Sequence, residues 1–164
     1  MASFTPAPEK TIMIKHILVV CAGNICRSPM AEALLKRALS APTPSAQRAF
    51  TVHSAGLAAL VGHPACECVV ELMAGIGEDI SGHRARQMHP DMVSEADLVL
   101  VMEAVHKRAI SEAYPTARGK VYRLGEWQDQ DIDDPYRQSK AAYQQALTEI
   151  NTGVARWVEK IRAK

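Results

Sequence analysis

The stretch from His16 to Leu39 constrains the fold more than any other part of the chain. An apolar run, His16-Ile17-Leu18-Val19-Val20, leads into Cys21-Ala22-Gly23-Asn24-Ile25-Cys26-Arg27-Ser28-Pro29, and a helical pattern, Met30-Ala31-Glu32-Ala33-Leu34-Leu35-Lys36-Arg37-Ala38-Leu39, follows at once. The near-continuous apolar run of residues 14–20 fits a strand covered on both faces. Pro29 suits the first turn of a helix, where its missing N–H costs nothing. The segment between them is therefore a strand-to-helix connection. Such a loop aims several backbone N–H groups at one point, and the helix N-terminus adds partial positive charge. Together they make an anion site. Cys21 opens the loop and Arg27 stands six positions later. The thiol can attack whatever the loop holds, and the planar guanidinium can grip two of its oxygens.

The rest of the chain extends this strand–helix unit. Met1 to Thr11 is polar with Pro6 and Pro8, so residues 1–13 are expected to be a disordered tail and residues 14–164 the domain. Met13 is an alternative start. The first helix is expected to end near Ser40, before Ala41-Pro42-Thr43-Pro44. A short strand over residues 50–53 precedes a loop entered through Ser54-Ala55-Gly56. Pro64 marks another helix start, with Ala65, Cys68, Val69, Leu72 and Met73 at helical spacing. Gly75 and Gly77 stop it. Residues 79–88 are polar and irregular. Residues 96–102 read as a second buried strand, 104–114 as a helix stopped by Pro115, and 120–124 as a short strand. An acidic loop over 125–136 holds Trp127, Asp129, Asp131, Asp133 and Asp134. Ser139 caps the last helix, whose apolar stripe is Ala142, Ala146, Ile150, Val154, Trp157 and Ile161. Gly153 should weaken that helix by about 1 kcal/mol against alanine. Strands alternating with helices predict one α/β domain: a central four-stranded parallel sheet flanked by helices, with the anion-binding loop after the first strand. Active sites in such sheets lie at the carboxyl ends of the strands, where Cys21 sits.

Composition removes several function classes. A chain of 164 residues can bury a single-domain core. A formal net charge of +1 provides no global basic field for nucleic acid. No apolar run approaches the ~18 residues of a membrane span, and the N-terminal residues lack the apolar core of a signal peptide. Four cysteines in a chain of this length do not suggest a disulfide scaffold. A reducing, cytoplasmic location is expected. Cys66 and Cys68 point to different faces of their predicted helix and lack further ligands at metal-site spacing, so they are read as structural. No metal and no cofactor is expected.

Cys21-x5-Arg27-Ser28, in the fuller form Cys-x-Gly-Asn-Ile-Cys-Arg-Ser-Pro-x-Ala-Glu from Cys21 to Glu32, resembles the signature of the low-molecular-weight protein tyrosine phosphatases. Asp134-Pro135-Tyr136, Ser54-Ala55-Gly56 and His83-Arg84-Ala85-Arg86-Gln87 resemble further segments of that family. The resemblance covers the chain from about Lys15 onward. It looks closest to the bacterial branch that accompanies tyrosine autokinases of exopolysaccharide synthesis and export.

Read this way, Cys21 is the nucleophile and forms a phosphocysteine. A thiol is activated by helix N-termini and nearby cations, and the following N–H groups and Arg27 supply both. The N–H groups of Ala22, Gly23, Asn24, Ile25, Cys26, Arg27 and Ser28 would bind phosphoryl oxygens, with the Arg27 guanidinium stabilising their charge. Asp134 matches the family's general acid, with Asp133 as neighbouring rival. Asn24 adopts positive φ more readily than most residues, as a tightly curled loop requires. The resemblance implies that Asn24, Ser28, Ser54 and His83 form a hydrogen-bond network supporting the loop. It also implies a reversible disulfide between Cys26 and Cys21, shielding the nucleophile from overoxidation. Leu60 and Tyr136 fall on the substrate rim. Leu60 stands where animal relatives carry tryptophan, and Arg137 where they often carry another aromatic. Trp127 is expected in the core. The implied partners are phosphotyrosine proteins, in particular a tyrosine autokinase, met by a monomer that neither enters membranes nor binds nucleic acid.

Two rivals are weaker. A same-fold arsenate reductase needs two further cysteines after the second helix, and residues 75–101 contain none. A catalytically silent phosphotyrosine-binding module would usually lack the nucleophile or the acid, and Cys21 and Asp134 are both present. The loop lacks the Gly-Lys-Ser/Thr ending of a nucleotide site.

Overall fold

The computed structural model describes residues 13–40 and 49–163. The expected tail and the Ala41-Pro42-Thr43-Pro44 break therefore lie outside the described residues, save for Met13, which is exposed. The described elements run β1 His16–Cys21, α1 Arg27–Ser40, β2 Thr51–Gly56, α2 Glu67–Ala74, α3 Pro90–Glu95, β3 Leu98–Val101, α4 Ala104–Ala113, β4 Val121–Arg123 and α5 Lys140–Arg162. A short 3-10 turn, Pro115–Lys120, joins α4 to β4. The four strands form one sheet in the order β2-β1-β3-β4, with every neighbouring pair parallel.

The sheet is buried on both faces, which explains why β1 and β3 carry no polar alternation. Side chains alternate across a strand. Ile17, Val19 and Cys21 pack on one side with Met30, Leu34 and Leu35 of α1, Val69 and Met73 of α2, and Ile150, Val154 and Trp157 of α5. Leu18 and Val20 pack on the other side with Val93 of α3, Ile110 of α4, and Val99, Val101 and Val121 of the neighbouring strands. From β1 the chain moves to one neighbour, β2, then returns across to the other, β3. The carboxyl end of β1 is therefore the point where the strand order reverses, and a crevice opens there. Cys21 is the last residue of β1.

Four local expectations change. Ser54, Ala55 and Gly56 are strand rather than loop: β2 runs to Gly56, whose register partner is Cys21. Helix α2 starts at Glu67, not at Pro64. The short helix α3, opened by Pro90, was not expected. Gly153 is a packing requirement and not a weak point. A Cβ there would meet the Leu124 carbonyl oxygen at 2.7 Å, so glycine lets α5 approach the end of β4. The Ser139 cap is present, its hydroxyl accepting from the Ala142 N–H.

Candidate active site

Cys21 to Cys26 turn six consecutive carbonyls outward. The Cys21, Ala22 and Gly23 oxygens accept from the N–H groups of Leu57 (3.0 Å), Ala58 (2.9 Å) and Leu60 (3.1 Å). The Asn24 oxygen accepts from His83 Nε2 at 2.7 Å. The Ile25 oxygen accepts from the Cys66 N–H at 2.9 Å, and the Cys26 oxygen from the Met30 N–H at 3.5 Å. In a trans peptide the following N–H points opposite to the carbonyl. Tying these oxygens to the surroundings therefore aims the N–H groups of Ala22 to Arg27 towards the inside of the curl. The fit depends on Gly56, because a Cβ at that position would lie 2.7 Å from the Ala22 oxygen.

Asn24 organises the interior of the loop. It is fully buried and has φ 59°, the left-handed conformation asparagine tolerates. Its Oδ1 accepts from the Arg86 N–H at 3.0 Å, which fixes the amide orientation. Its Nδ2 then donates to Ser28 Oγ at 2.8 Å and to Ser54 Oγ at 3.0 Å. Since Ser28 Oγ accepts from Asn24, its own hydrogen is free for Cys21 Sγ, 2.9 Å away. The Ser54 hydroxyl reaches Glu32. Burial pushes the Glu32 carboxyl up, but hydrogen bonds from Lys36 and Ser54 outweigh it and hold the group below its ordinary value. Oriented hydrogen bonds thus run from a carboxylate on α1 to the sulfur of Cys21. The structure brings together all the expected support residues, Asn24, Ser28, Ser54 and His83, and adds Glu32 and Arg86. Arg86 also donates from Nε to the Ser54 carbonyl at 3.0 Å.

Arg27 is 1% exposed, an unusual position for a guanidinium. Its Nη1 donates to Glu103 Oε2 at 2.8 Å and to the Ile132 carbonyl at 2.6 Å. Its Nη2 lies 3.7 Å from Asp134 Oδ2. Glu103 directly follows β3 and Met102, at the carboxyl end of the strand adjacent to β1. His106, one turn into α4, places Nε2 3.3 Å from the same Glu103 oxygen. Burial, then the Arg27 charge, hold the His106 imidazole below the usual histidine range against the pull of Glu103. The sequence reading missed Glu103. Its one signal was an acid at the carboxyl end of a buried strand.

The acidic loop divides by role. Asp129 and Asp131 pair with Arg123 at 2.5 and 3.1 Å, and Asp131 also accepts the first N–H of α4 from Ala104 at 3.0 Å. Ile132 anchors the loop: its side chain is buried, its N–H donates to Met102 O at 2.9 Å, and its carbonyl faces Arg27. Asp133 is exposed. The Asp134 side chain is 46% exposed, with Oδ1 accepting from the Tyr136 N–H at 3.1 Å. Leu60 and Tyr136 are both exposed, Leu60 held beside the loop by its bond to Gly23. The Arg137 guanidinium covers the Tyr136 ring at 5.2 Å. Trp127 is not in the core. It is 47% exposed, edge-on to Trp157 and overlain by Lys160.

Inward N–H groups, a guanidinium and a thiol around one point can hold a tetrahedral oxyanion and attack its centre. Among the described residues no three metal-binding side chains cluster, and no helix is long and apolar enough to cross a membrane.

Comparison with known proteins agrees with this geometry. The sequence model of the family described as low molecular weight phosphotyrosine protein phosphatase matches residues 16–164. A probable low molecular weight protein-tyrosine-phosphatase, EpsP, of Ralstonia solanacearum is 52% identical over 92% of this chain and 99% of its own. Among solved structures, the tyrosine phosphatase Wzb of Escherichia coli K30 in complex with sulphate superposes with a TM-score of 0.82 at 39% identity, over 90% of this chain and 99% of that one. The arginine phosphatase YwlE of Geobacillus stearothermophilus gives a TM-score of 0.80 at 33% identity, over 91% of this chain and 94% of its own. The chain belongs to the low molecular weight phosphotyrosine protein phosphatases.

Proposed function

We propose that the chain hydrolyses protein phosphotyrosine through a phosphocysteine on Cys21. Cys21 Sγ attacks phosphorus while the N–H groups of Ala22 to Ser28, those of Ala22 to Arg27 already turned inward, hold the phosphoryl oxygens. Arg27 has Nη1 committed to Glu103 and Ile132, leaving Nη2 and Nε for the phosphoryl group. Asp134 gives its proton to the leaving tyrosine oxygen and then takes one from the water that cleaves the phosphocysteine. Leu60 and Tyr136 flank the phenyl ring. Cys26 serves Cys21 as a resolving thiol, forming a disulfide with it after oxidation. Ser28 steadies the sulfur throughout. The single observation that carries this reading is the outward tethering of six consecutive carbonyls around a cysteine and a buried arginine.

The resemblance to the branch that accompanies tyrosine autokinases extends the proposal to the partner: a tyrosine autokinase or related phosphoprotein of exopolysaccharide synthesis and export, met in the cytoplasm by a monomer. The likeness to the tyrosine phosphatases EpsP and Wzb supports the phosphotyrosine class. The exposed rim at Leu60 and Tyr136 suits a substrate tyrosine presented on an extended segment.

The test is initial rates on matched phosphotyrosine, phosphoserine and phosphoarginine peptides, with a chelator present, for wild type and Cys21→Ser. The expected result is turnover of phosphotyrosine, lost by at least about a thousandfold in the variant while the peptide still binds. Binding without turnover by the wild type would leave a recognition module. Preference for phosphoarginine would move the substrate class to that of the YwlE relative.

A further inference from the structure

Cys66 belongs to the same thiol group as the active site, although its spacing to Cys68 gave it only a structural reading. It lies in the segment between β2 and α2, and its sulfur is 2.9 Å from Cys26 Sγ. The two backbones are tied as well, the Cys66 N–H donating to the Ile25 carbonyl. Neither cysteine is in a disulfide. A covalent S–S bond is about 2.04 Å, so closing this pair takes a shift of less than ~1 Å.

Protonation in the pair is asymmetric. The hydrogen bond with Cys66, then burial, push the Cys26 thiol up, with the Cys66 and Cys21 charges adding to the effect. The hydrogen bond from Cys26 holds Cys66 down at about 7 against its own burial, and the Tyr143 hydroxyl acts with it. The same environment pushes Tyr143 up to about 12, first by burial and then by the Cys26 and Cys66 charges. The two sulfurs therefore share a proton, and Cys66 is the more acidic partner of the pair. Cys66 also precedes the first turn of α2, where a negative charge is favoured. Cys26 thus feels the charge of the nucleophile and, in direct contact, meets a second sulfur with no place in phosphoryl transfer.

We propose that Cys66 is a second resolving thiol, which takes over the disulfide from Cys21–Cys26 and returns the nucleophile to its reduced form. The inference rests on the reading of Cys26 as first resolving thiol. A peroxide oxidises the Cys21 thiolate to a sulfenic acid, leaving hydroxide. Cys26 Sγ attacks Cys21 Sγ, its proton passes to Cys66, and the sulfenic oxygen leaves as water with one further proton. Cys66, once deprotonated, attacks Cys26 Sγ. The Cys21–Cys26 bond breaks and Cys21 leaves as thiolate. The net change is one peroxide reduced to water and hydroxide and one thiol, Cys26, with one thiolate, Cys66, oxidised to a disulfide. The enzyme then keeps a working nucleophile after one oxidation, and an external reductant is needed only to recharge Cys26 and Cys66.

The test uses the full-length protein, freed of reductant and treated with equimolar hydrogen peroxide. Samples are alkylated at intervals, mapped without reduction and assayed on a phosphotyrosine peptide. Wild type is expected to lose activity and regain most of it without reductant, ending with Cys26 linked to Cys66 and Cys21 alkylated. Cys66→Ser, with Cys66→Ala as a second variant, should stop at Cys21–Cys26 and stay inactive until a dithiol is added. Wild type that stops at Cys21–Cys26 as the variants do overturns the relay and leaves the first step standing. Sulfinic Cys21 in both variants overturns the first step and the relay with it. Cys21→Ser should form the Cys26–Cys66 link at least ~tenfold more slowly, because the oxidant enters at Cys21. An equal rate shows peroxide attacking Cys66 directly and overturns the transfer.

Discussion

Two loops meet at Arg27 and are built on opposite terms. The phosphate-binding loop after β1 has five successive carbonyls bonded to neighbouring segments and a sixth to the first turn of α1, a buried asparagine at its centre and a sulfur oriented by Ser28. The acid-bearing loop is fastened at Asp129, Asp131 and Ile132, then leaves Asp134 and Tyr136 in solvent. The first loop must present charge-stabilising groups without reorganising, so its geometry is fixed before substrate arrives. The second must admit a protein-borne tyrosine and then a water, so its working end is open. Stability and catalysis should therefore separate between them.

Apart from the nucleophile itself, the largest effect on rate falls on the open loop. Asp134→Ala should lower turnover of phosphotyrosine peptides by about 10²–10⁴-fold. The loss should shrink on aryl phosphates with good leaving groups, and urea denaturation should shift by no more than about 0.5 kcal/mol, as for an exposed side chain. A uniform rate loss across leaving groups would move the acid elsewhere, Asp133 first. Glu103→Gln strikes the fixed side. It leaves a buried guanidinium without its carboxylate, and urea denaturation should show about 3 kcal/mol of destabilisation. A loss below 1 kcal/mol would mean that Ile132 and Asp134 suffice for Arg27.

Asn24→Ala removes three side-chain hydrogen bonds and places alanine at φ 59°. About 2 kcal/mol of stability should go, together with turnover. Lost turnover at unchanged stability would make the network a catalytic device alone. The smallest effect is acid sensitivity. The folded protein resists protonating His106, whereas the unfolded chain takes up the proton from about pH 6.5 downward. The contribution is complete above that pH and is lost as pH falls through the lower folded-state value. Thermal unfolding from pH 7.5 to 5 should slope less in His106→Gln than in wild type. Equal slopes would assign the sensitivity to other groups, such as His53, which burial also holds below its ordinary value.

Most of the site was legible because it is local. Cys21, Asn24, Ser28 and Arg27 share one strand–loop–helix unit, and the family resemblance supplied Ser54, His83 and Asp134. The missed residues depend on which strands lie side by side. Glu103 reaches Arg27 only because β3 is the neighbour of β1, and Cys66 reaches Cys26 only because the segment after β2 folds back over the loop. Periodicity carries neither fact. Gly153 was misread for the same reason, since helix propensity says nothing of Leu124 on the other side of the contact. Trp127 was misplaced by its apolar bulk. Its ring covers Trp157 on one side and carries Lys160 on another, which satisfies an aromatic without burying it.

That aromatic pair has an optical consequence. The chain has two tryptophans, and their rings stand 5.3 Å apart where the start of the acid-bearing loop packs on the C-terminal half of α5. Tryptophan emission therefore arises from a single place in the molecule, with an ammonium 4.7 Å above one of the two indoles. A change in tryptophan colour or lifetime on adding phosphate reports the stem of the open loop, since the phosphate-binding loop itself carries no tryptophan.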